Sequence, residues 1–310
     1  VSNIPGMILM LIFLKKKFNF SIIPTFKRYK WLIYESLPIF WFIMLDTLYQ
    51  QMDVVMLKYF SSYYDAGVYA AASRLVMPLL IFPTAIIHTI FPIISRLEDE
   101  SEDRNNLLIN FVFKILFLFA AILAYIFLFK HESYITIVYG KKYLNSGLPT
   151  GLLLISQIFF FYNFFIVNLL IAYRKQKYDF VYSALILVVH FMVSIILIKN
   201  YTYNGVALGK ITAGFIGFLF TTYVLYKHNF KIYLFNKNFV VWNIFTLVSL
   251  YFLSGMHWII YTIFSLILVI LITIISRIFE KDELLFFLGK INKKHIAEKI
   301  INSKIFKIYK

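Results

Sequence analysis

Residues 34–94 read YESLPIFWFIMLDTLYQQMDVVMLKYFSSYYDAGVYAAASRLVMPLLIFPTAIIHTIFPII, two long apolar segments set back to back. They hold most of the ionisable residues that the chain places inside apolar runs. The first segment carries Glu35, Asp46, Gln50 and Asp53 in a run otherwise apolar enough to cross a bilayer. At about 100° per residue, Glu35, Asp46 and Asp53 fall within about 20° of one another on a helix, with Gln50 about 60° away. They form one polar stripe roughly 27 Å long, close to the hydrocarbon thickness of a membrane. The second segment carries Arg74 and His88 and is punctuated by Pro78, Pro83 and Pro92. Ionisable groups at such depth are costly, so they face a protein interior or a wet cavity and mark a pathway. Asp46 and Asp53 are read in that way. For Glu35 and Arg74 a second reading stands beside it, in which the side chains reach up to the two interfaces.

Working outward, the same apolar character continues. Hydrophobic residues make up 61% of the 310, charged residues 15%, and the mean hydropathy is +0.78. A soluble domain of this length cannot bury so much apolar surface, which implies an all-α, polytopic membrane helix bundle. The short alternating strands of an outer-membrane barrel are absent. A net charge of +16 does not point to nucleic acid, because the basic residues sit between apolar runs, as topology signals do. With no cysteine there is neither a disulfide nor a thiolate metal site.

The patterning predicts about eight full transmembrane helices plus an amino-terminal helix stump. Spans are expected near 31–57, 69–94, 107–129, 148–173, 180–198, 206–226, 239–255 and 258–278, the seventh being short. Ahead of them, Ile4–Leu14 supplies too few apolar residues to span. It reads as the end of a helix whose start is missing, so the sequence is expected to be a fragment, with an alternative start or a signal anchor as the other options. Residues 15–30 read as a basic interfacial segment, and 279–310 as a basic cytoplasmic amphipathic tail on the anionic inner leaflet. With residues 15–30 placed in the cytoplasm, 23 basic residues fall inside, 6 (Lys210 among them) outside, and Arg74 and Lys114 within spans. That bias fits the positive-inside rule and predicts a multi-pass protein of the inner membrane with both ends cytoplasmic.

The remaining segments carry little chemistry. The acidic loop 96–106, RLEDESEDRNN, could mimic a metal-holding cluster of a glycosyltransferase, but reads better as a solvated turn. Residues 139–151, YGKKYLNSGLPTG, suit a structured outer turn. Gly205 and Gly209 form a GxxxG followed by Gly214 and Gly217, a face on which another helix packs closely. Phosphate-loop, dinucleotide, zinc-protease and serine-hydrolase patterns are missing. His88, His190 and His257 lie on different spans without ligand spacing. His190 and His257 read as polar residues packed between helices. No cofactor is expected, and transport rather than enzymology is the class that remains.

Several of these stretches resemble the polysaccharide repeat-unit flippases of the multidrug/oligosaccharidyl-lipid/polysaccharide exporter superfamily. They are Glu35–Pro38, Asp53–Phe60, Ala66–Leu75, Phe91–Arg96, Tyr139–Tyr143 and Tyr203–Gly209. The resemblance runs from about residue 31 to 226, and their order and spacing carry more of it than any one piece. It implies two bundles of six helices around a central cavity, often followed by two extra helices. It also implies outward flipping of undecaprenyl-diphosphate-linked oligosaccharide by alternating access, as in capsule or lipopolysaccharide assembly. Mapped onto that plan, residues 1–30 are the end of a preceding helix and its interfacial segment. Residues 31–226 are then the second six-helix bundle and 239–278 the two additional helices, and the first bundle is the missing partner.

Beside the resemblance stands a physical expectation. A lipid diphosphate is anionic, and Arg74 and Lys114 are candidates to hold its phosphates by charge-assisted hydrogen bonds. Asp46 and Asp53 would pair with those cations in the empty site, or bind a coupling proton or sodium ion. Two alternatives are a drug/cation antiporter of the same superfamily and an integral-membrane enzyme of polysaccharide assembly. The first would want a site dominated by acids, the second a large external domain.

Overall fold

The computed structural model describes residues 4–18, 29–97, 102–173, 175, 177–228, 230, 237–279 and 283. Ten α-helices account for nearly all of them: α1 (Ile4–Phe18), α2 (Tyr29–Phe60), α3 (Tyr63–Val76), α4 (Ile81–Leu97) and α5 (Glu102–Phe129), then α6 (His131–Tyr139), α7 (Gly147–Ala172), α8 (Lys177–Lys227), α9 (Lys237–Leu253) and α10 (Trp258–Ile275). No strand occurs among the described residues. Five helices or helix runs there are long and apolar enough to cross a membrane, and α9 is a shorter apolar helix. The protein is a polytopic membrane helix bundle, and each expected span has a helix or helix pair under it. The interfacial segment around residues 19–28, the core of the acidic loop and nearly all of the basic tail lie outside the described residues.

The chain divides into two compact units, residues 1–43 and 44–310. The first holds α1 and the opening of α2, and its large apolar side chains, such as Leu9, Trp31 and Ile33, are exposed. The second unit contains the packed core and every residue of the site described below.

Breaks between helices follow local chemistry. The hydroxyl of Ser62 accepts from the Asp65 backbone N–H at 3.1 Å and donates to the Asp65 carboxylate at 2.9 Å, while Ser61 donates to the same carboxylate. This cap starts α3 at residue 63, earlier than the apolar pattern suggests. Pro78 then removes a backbone donor, and Met77–Leu80 tighten into a 3-10 turn before α4 resumes. The expected outer loop between α5 and α7 holds a further short helix, α6, ending at Gly140. There φ is +83°, a conformation glycine adopts without strain, and a 3-10 turn over Lys141–Ser146 follows.

The 51 residues of α8 are two arms, since Thr202 at φ 45° and ψ −125° reverses the chain between them. A Cβ at Gly205 would lie 2.6 Å from the Leu197 carbonyl oxygen, and one at Gly217 2.8 Å from the Tyr182 ring. Gly205, Gly209 and Gly217 therefore receive the preceding arm of their own hairpin, with backbone approaching backbone at Gly205, while Gly214 receives Phe159 of α7. The neighbours of α7 include α3, α4, α5 and α8, and its buried Phe161, Phe165, Ile166 and Leu170 fill the main apolar cluster. Near Trp242, α9 and α10 pack on α5 through Leu118, Ala121 and Tyr261. With α7 and α5 filling the middle, α2, α3 and the α8 hairpin are left to close around one polar group.

Candidate functional site

Asp53 is the centre of that group. It lies on α2 with 1% of its surface exposed, where an ionised carboxylate survives only if its lone pairs are met. Three side chains from two other elements meet them. The Tyr69 hydroxyl, from α3, donates to Oδ2 at 2.7 Å. Nε2 of His190, on the first arm of α8, lies 2.6 Å from Oδ1. Nζ of Lys210, on the second arm, lies 2.7 Å from Oδ2. One acidic residue thus ties together α2, α3 and both arms of the hairpin.

A second ring of groups surrounds the first. Ser194, one turn beyond His190, places its hydroxyl 3.2 Å from Nδ1. Gly209 makes room for this contact, since a Cβ there would stand 2.2 Å from Ser194 Oγ and 3.1 Å from His190 Nδ1. The Tyr49 ring meets His190 edge-on at 5.3 Å between centroids and lies 5.2 Å beneath the Lys210 ammonium, a cation–π contact. One turn before Asp53, Gln50 donates to Asp46 at 2.9 Å.

His190 is fully buried, whereas the Lys210 side chain keeps 15% of its surface. That exposed part borders a cleft of about 50 Å³, lined by Tyr49, Gln50, Ser73, Gln157, Asn163 and Lys210 among others. The cleft has room for a few waters or one small polar group. Among the described residues, Gln157 Oε1 is buried there without a hydrogen-bond partner, so the wall offers an uncommitted acceptor oxygen.

The other residues expected in the site are distributed differently. Asp46 and Gln50 lie with Asp53, but the Glu35 side chain is outside the described residues. Arg74 is exposed, makes no ion pair among the described residues and does not line the cleft. The expected pairing of Asp53 with Arg74 is not formed. Tyr69 faces Asp53, and Arg74, five residues further along α3, points about 140° away from it. Lys114 is buried on α5, with its ammonium 2.7 Å from both carboxylate oxygens of Glu283. It stands ready for no phosphate in this arrangement.

Sequence reasoning missed Lys210 altogether, counting it as an outer-loop charge. The signal was present: Lys210 and Ser194 stand eight residues either side of Thr202, so a hairpin sets Lys210 beside the arm that carries His190.

Three comparisons with known proteins bear on this arrangement. Residues 1–148 match the model of a family described as polysaccharide biosynthesis protein. No curated protein matches the chain by sequence. Among solved structures, the chain is similar to the lipid II flippase MurJ in its inward closed conformation, at 18% identity and a TM-score of 0.62. The likeness covers 93% of this chain and 61% of that one, and at this identity it is a likeness of fold. The sequence match covers just under half of the chain, and the structural likeness shows that this chain shares the fold of that protein.

Proposed function

We propose that the chain forms the carboxy-terminal part of a flippase for undecaprenyl-diphosphate-linked oligosaccharide repeat units, working by alternating access in the cytoplasmic membrane. The observation that carries the reading is the charged group around Asp53, closed within apolar helices and open to a polar cleft through Lys210. Buried ionisable groups that open onto a cavity are what passage of an anionic headgroup through hydrocarbon requires. The family matched by residues 1–148 and the flippase fold support the same reading. On this reading a six-helix amino-terminal bundle completes the cavity, and both ends of the present chain are cytoplasmic.

Lys210 is then the cation offered to the phosphates from the cleft, held by Asp53 between cargoes with Asp46 and Gln50 beside it, while Arg74 offers a second cation on another face of α3. Lys114 serves the fold through Glu283. The test is reconstitution into liposomes, with the amino-terminal bundle, of a lipid-linked oligosaccharide labelled on its sugar. Label from the inner leaflet should become reachable by an impermeant glycosidase only when protein is present. Elongation of the sugar without movement between leaflets would replace the transporter by an enzyme of polysaccharide assembly. Export of a small lipophilic cation in place of the lipid would favour an antiporter.

A further inference from the structure

We propose that His190 and Lys210 compete for Asp53, so that protonation of His190 releases Lys210 into the cleft as a diphosphate-binding group. The inference rests on the flippase reading above and adds to it a proton-linked cargo site.

Charge counting within the group comes first. With His190 neutral, Asp53 and Lys210 form a closed pair and the group carries no net charge. The Lys210 ammonium is then committed to Oδ2 at 2.7 Å, and an anion in the cleft gains little from it. With His190 doubly protonated, a second cation lies 2.6 Å from Oδ1, and the group carries one net positive charge. Asp53 then has its balancing charge on a fully buried ring that cannot leave, and retains the hydrogen bond from Tyr69. The surplus charge resides on the member able to move, Lys210, which has a flexible four-carbon stem and already borders the cleft.

The surroundings accept both states of the imidazole, as a switch requires. Neutral His190 donates through Nε2–H to Asp53 and accepts at Nδ1 from the Ser194 hydroxyl. Charged His190 donates from both nitrogens, and the same hydroxyl turns to accept. No buried ring nitrogen is stranded in either state. A fixed donor or a carbonyl in the place of Ser194 would have locked the ring into one state. Gly209 holds that place open, because any side chain there would displace the hydroxyl.

The titratable and charged groups facing this centre are Asp53, Asp46 and Tyr49 on α2, Tyr69 on α3, and Tyr182 and Lys210 on the two arms of α8. Among ionisable side-chain types in their ordinary state, imidazole is the one that changes charge between about pH 5 and 8. By reciprocity, if protonation favours the cargo, cargo binding favours the proton. Loading a diphosphate therefore takes up a proton at His190, and unloading returns it.

The experiment is equilibrium binding of a short-chain isoprenyl diphosphoryl sugar to the purified chain together with the amino-terminal bundle, in detergent, between about pH 6 and 8. This diester has no titrating oxygen in that range. Wild type should bind more tightly as the pH falls, by at most about tenfold per pH unit for one coupled proton, with measurable proton uptake. His190→Gln keeps a donor toward Asp53 and should bind weakly and without pH dependence. Asp53→Asn frees Lys210 at every pH and should bind tightly, again without pH dependence. Lys210→Gln should abolish binding at both ends of the range, and Lys210→Arg should restore part of it. Retained helicity and monodispersity identify variants that have simply failed to fold, and Lys210→Arg guards against that outcome at the lysine. Tight but pH-independent binding in wild type would overturn the switch and leave the flippase reading standing. Undiminished binding by Lys210→Gln would overturn the assignment of Lys210. Absence of binding by wild type at either pH would count against the flippase reading and the switch together.

Discussion

Lys114 and Glu283 offer a sharp test of how the far end of the chain is held. The pair is buried on both sides, at 3% and 2% exposure, with the ammonium 2.7 Å from each carboxylate oxygen and the two residues 169 positions apart in the chain. Such a pair is expensive to break and cheap to replace. Removing one partner of a buried ion pair costs about 3–5 kcal/mol, whereas well-packed apolar replacements of both are often neutral or stabilising. Lys114→Met keeps the length of the side chain and removes only the charge, so its loss is the electrostatic term with little cavity added. It should lower the unfolding midpoint in detergent by several degrees. Glu283→Leu alone should do nearly as much. The double variant Lys114→Met/Glu283→Leu should recover most of the loss, giving a coupling energy of about 3 kcal/mol or more in the double-mutant cycle. Additive single effects, or a Lys114→Met protein that unfolds like wild type, would refute the reasoning and return Lys114 to the pool of cations available for cargo.

Three further outcomes follow from other parts of the molecule. Gly209→Ala should destabilise by about 1–3 kcal/mol through overpacking against Ser194, and adding Ser194→Ala should recover part of it in thermal unfolding. Reporter fusions at Lys30, Asp99, Lys175 and Asn236 should report cytoplasm, and those at Ser62, Lys141 and Asn200 the outside; two neighbouring fusions with the same sidedness would remove a span. Partial burial, then the charges of Lys175, Lys227 and Lys177, hold the His228 imidazole below its ordinary range, with the Lys175 ammonium 2.6 Å from Nδ1. A histidine with a depressed folded value adds stability at higher pH, and this is lost as the pH falls through that value. Proton NMR should place the His228 midpoint below that of a free imidazole, and Lys175→Gln should move it upward.

Much of the architecture could be read from the sequence, because a membrane span declares itself by length and composition alone. Pro78 announced where a helix breaks and the glycines from Gly205 a close packing face, whereas the apolar pattern passes over the cap at Ser61 and Ser62 and places the second span from residue 69. Asp53 was legible for a similar reason: a carboxylate in the middle of an apolar run has to be met by something. The identity of its partner was not legible in that way. Arg74 was the nearest cation within an apolar span, but helix geometry turns it away from the face that Tyr69 presents. Lys210 lies beyond a chain reversal whose place is set by the single strained residue Thr202. Nor does composition indicate that Lys114 reaches a glutamate in the tail, since no local pattern spans 169 residues.

The two buried ion pairs also differ in kind. Lys114 and Glu283 face each other with both side chains closed in and, among the described residues, no imidazole between them. Around Asp53, one acid faces a lysine and a histidine, so the charge balance depends on whether the imidazole carries a second proton. The first is built like a fastener. In the second, the fully buried histidine is anchored, the hydroxyl beside it can donate or accept, and the lysine borders the cleft. If both pairs served only to hold helices together, replacing Asp53, His190 and Lys210 jointly by apolar residues should leave a bundle as stable as the Lys114→Met/Glu283→Leu protein. If the group around Asp53 is kept for transport, that triple variant should remain folded in the membrane while moving no lipid-linked sugar. A stable triple variant that still moves the sugar at the wild-type rate would show that the charge around Asp53 is structural.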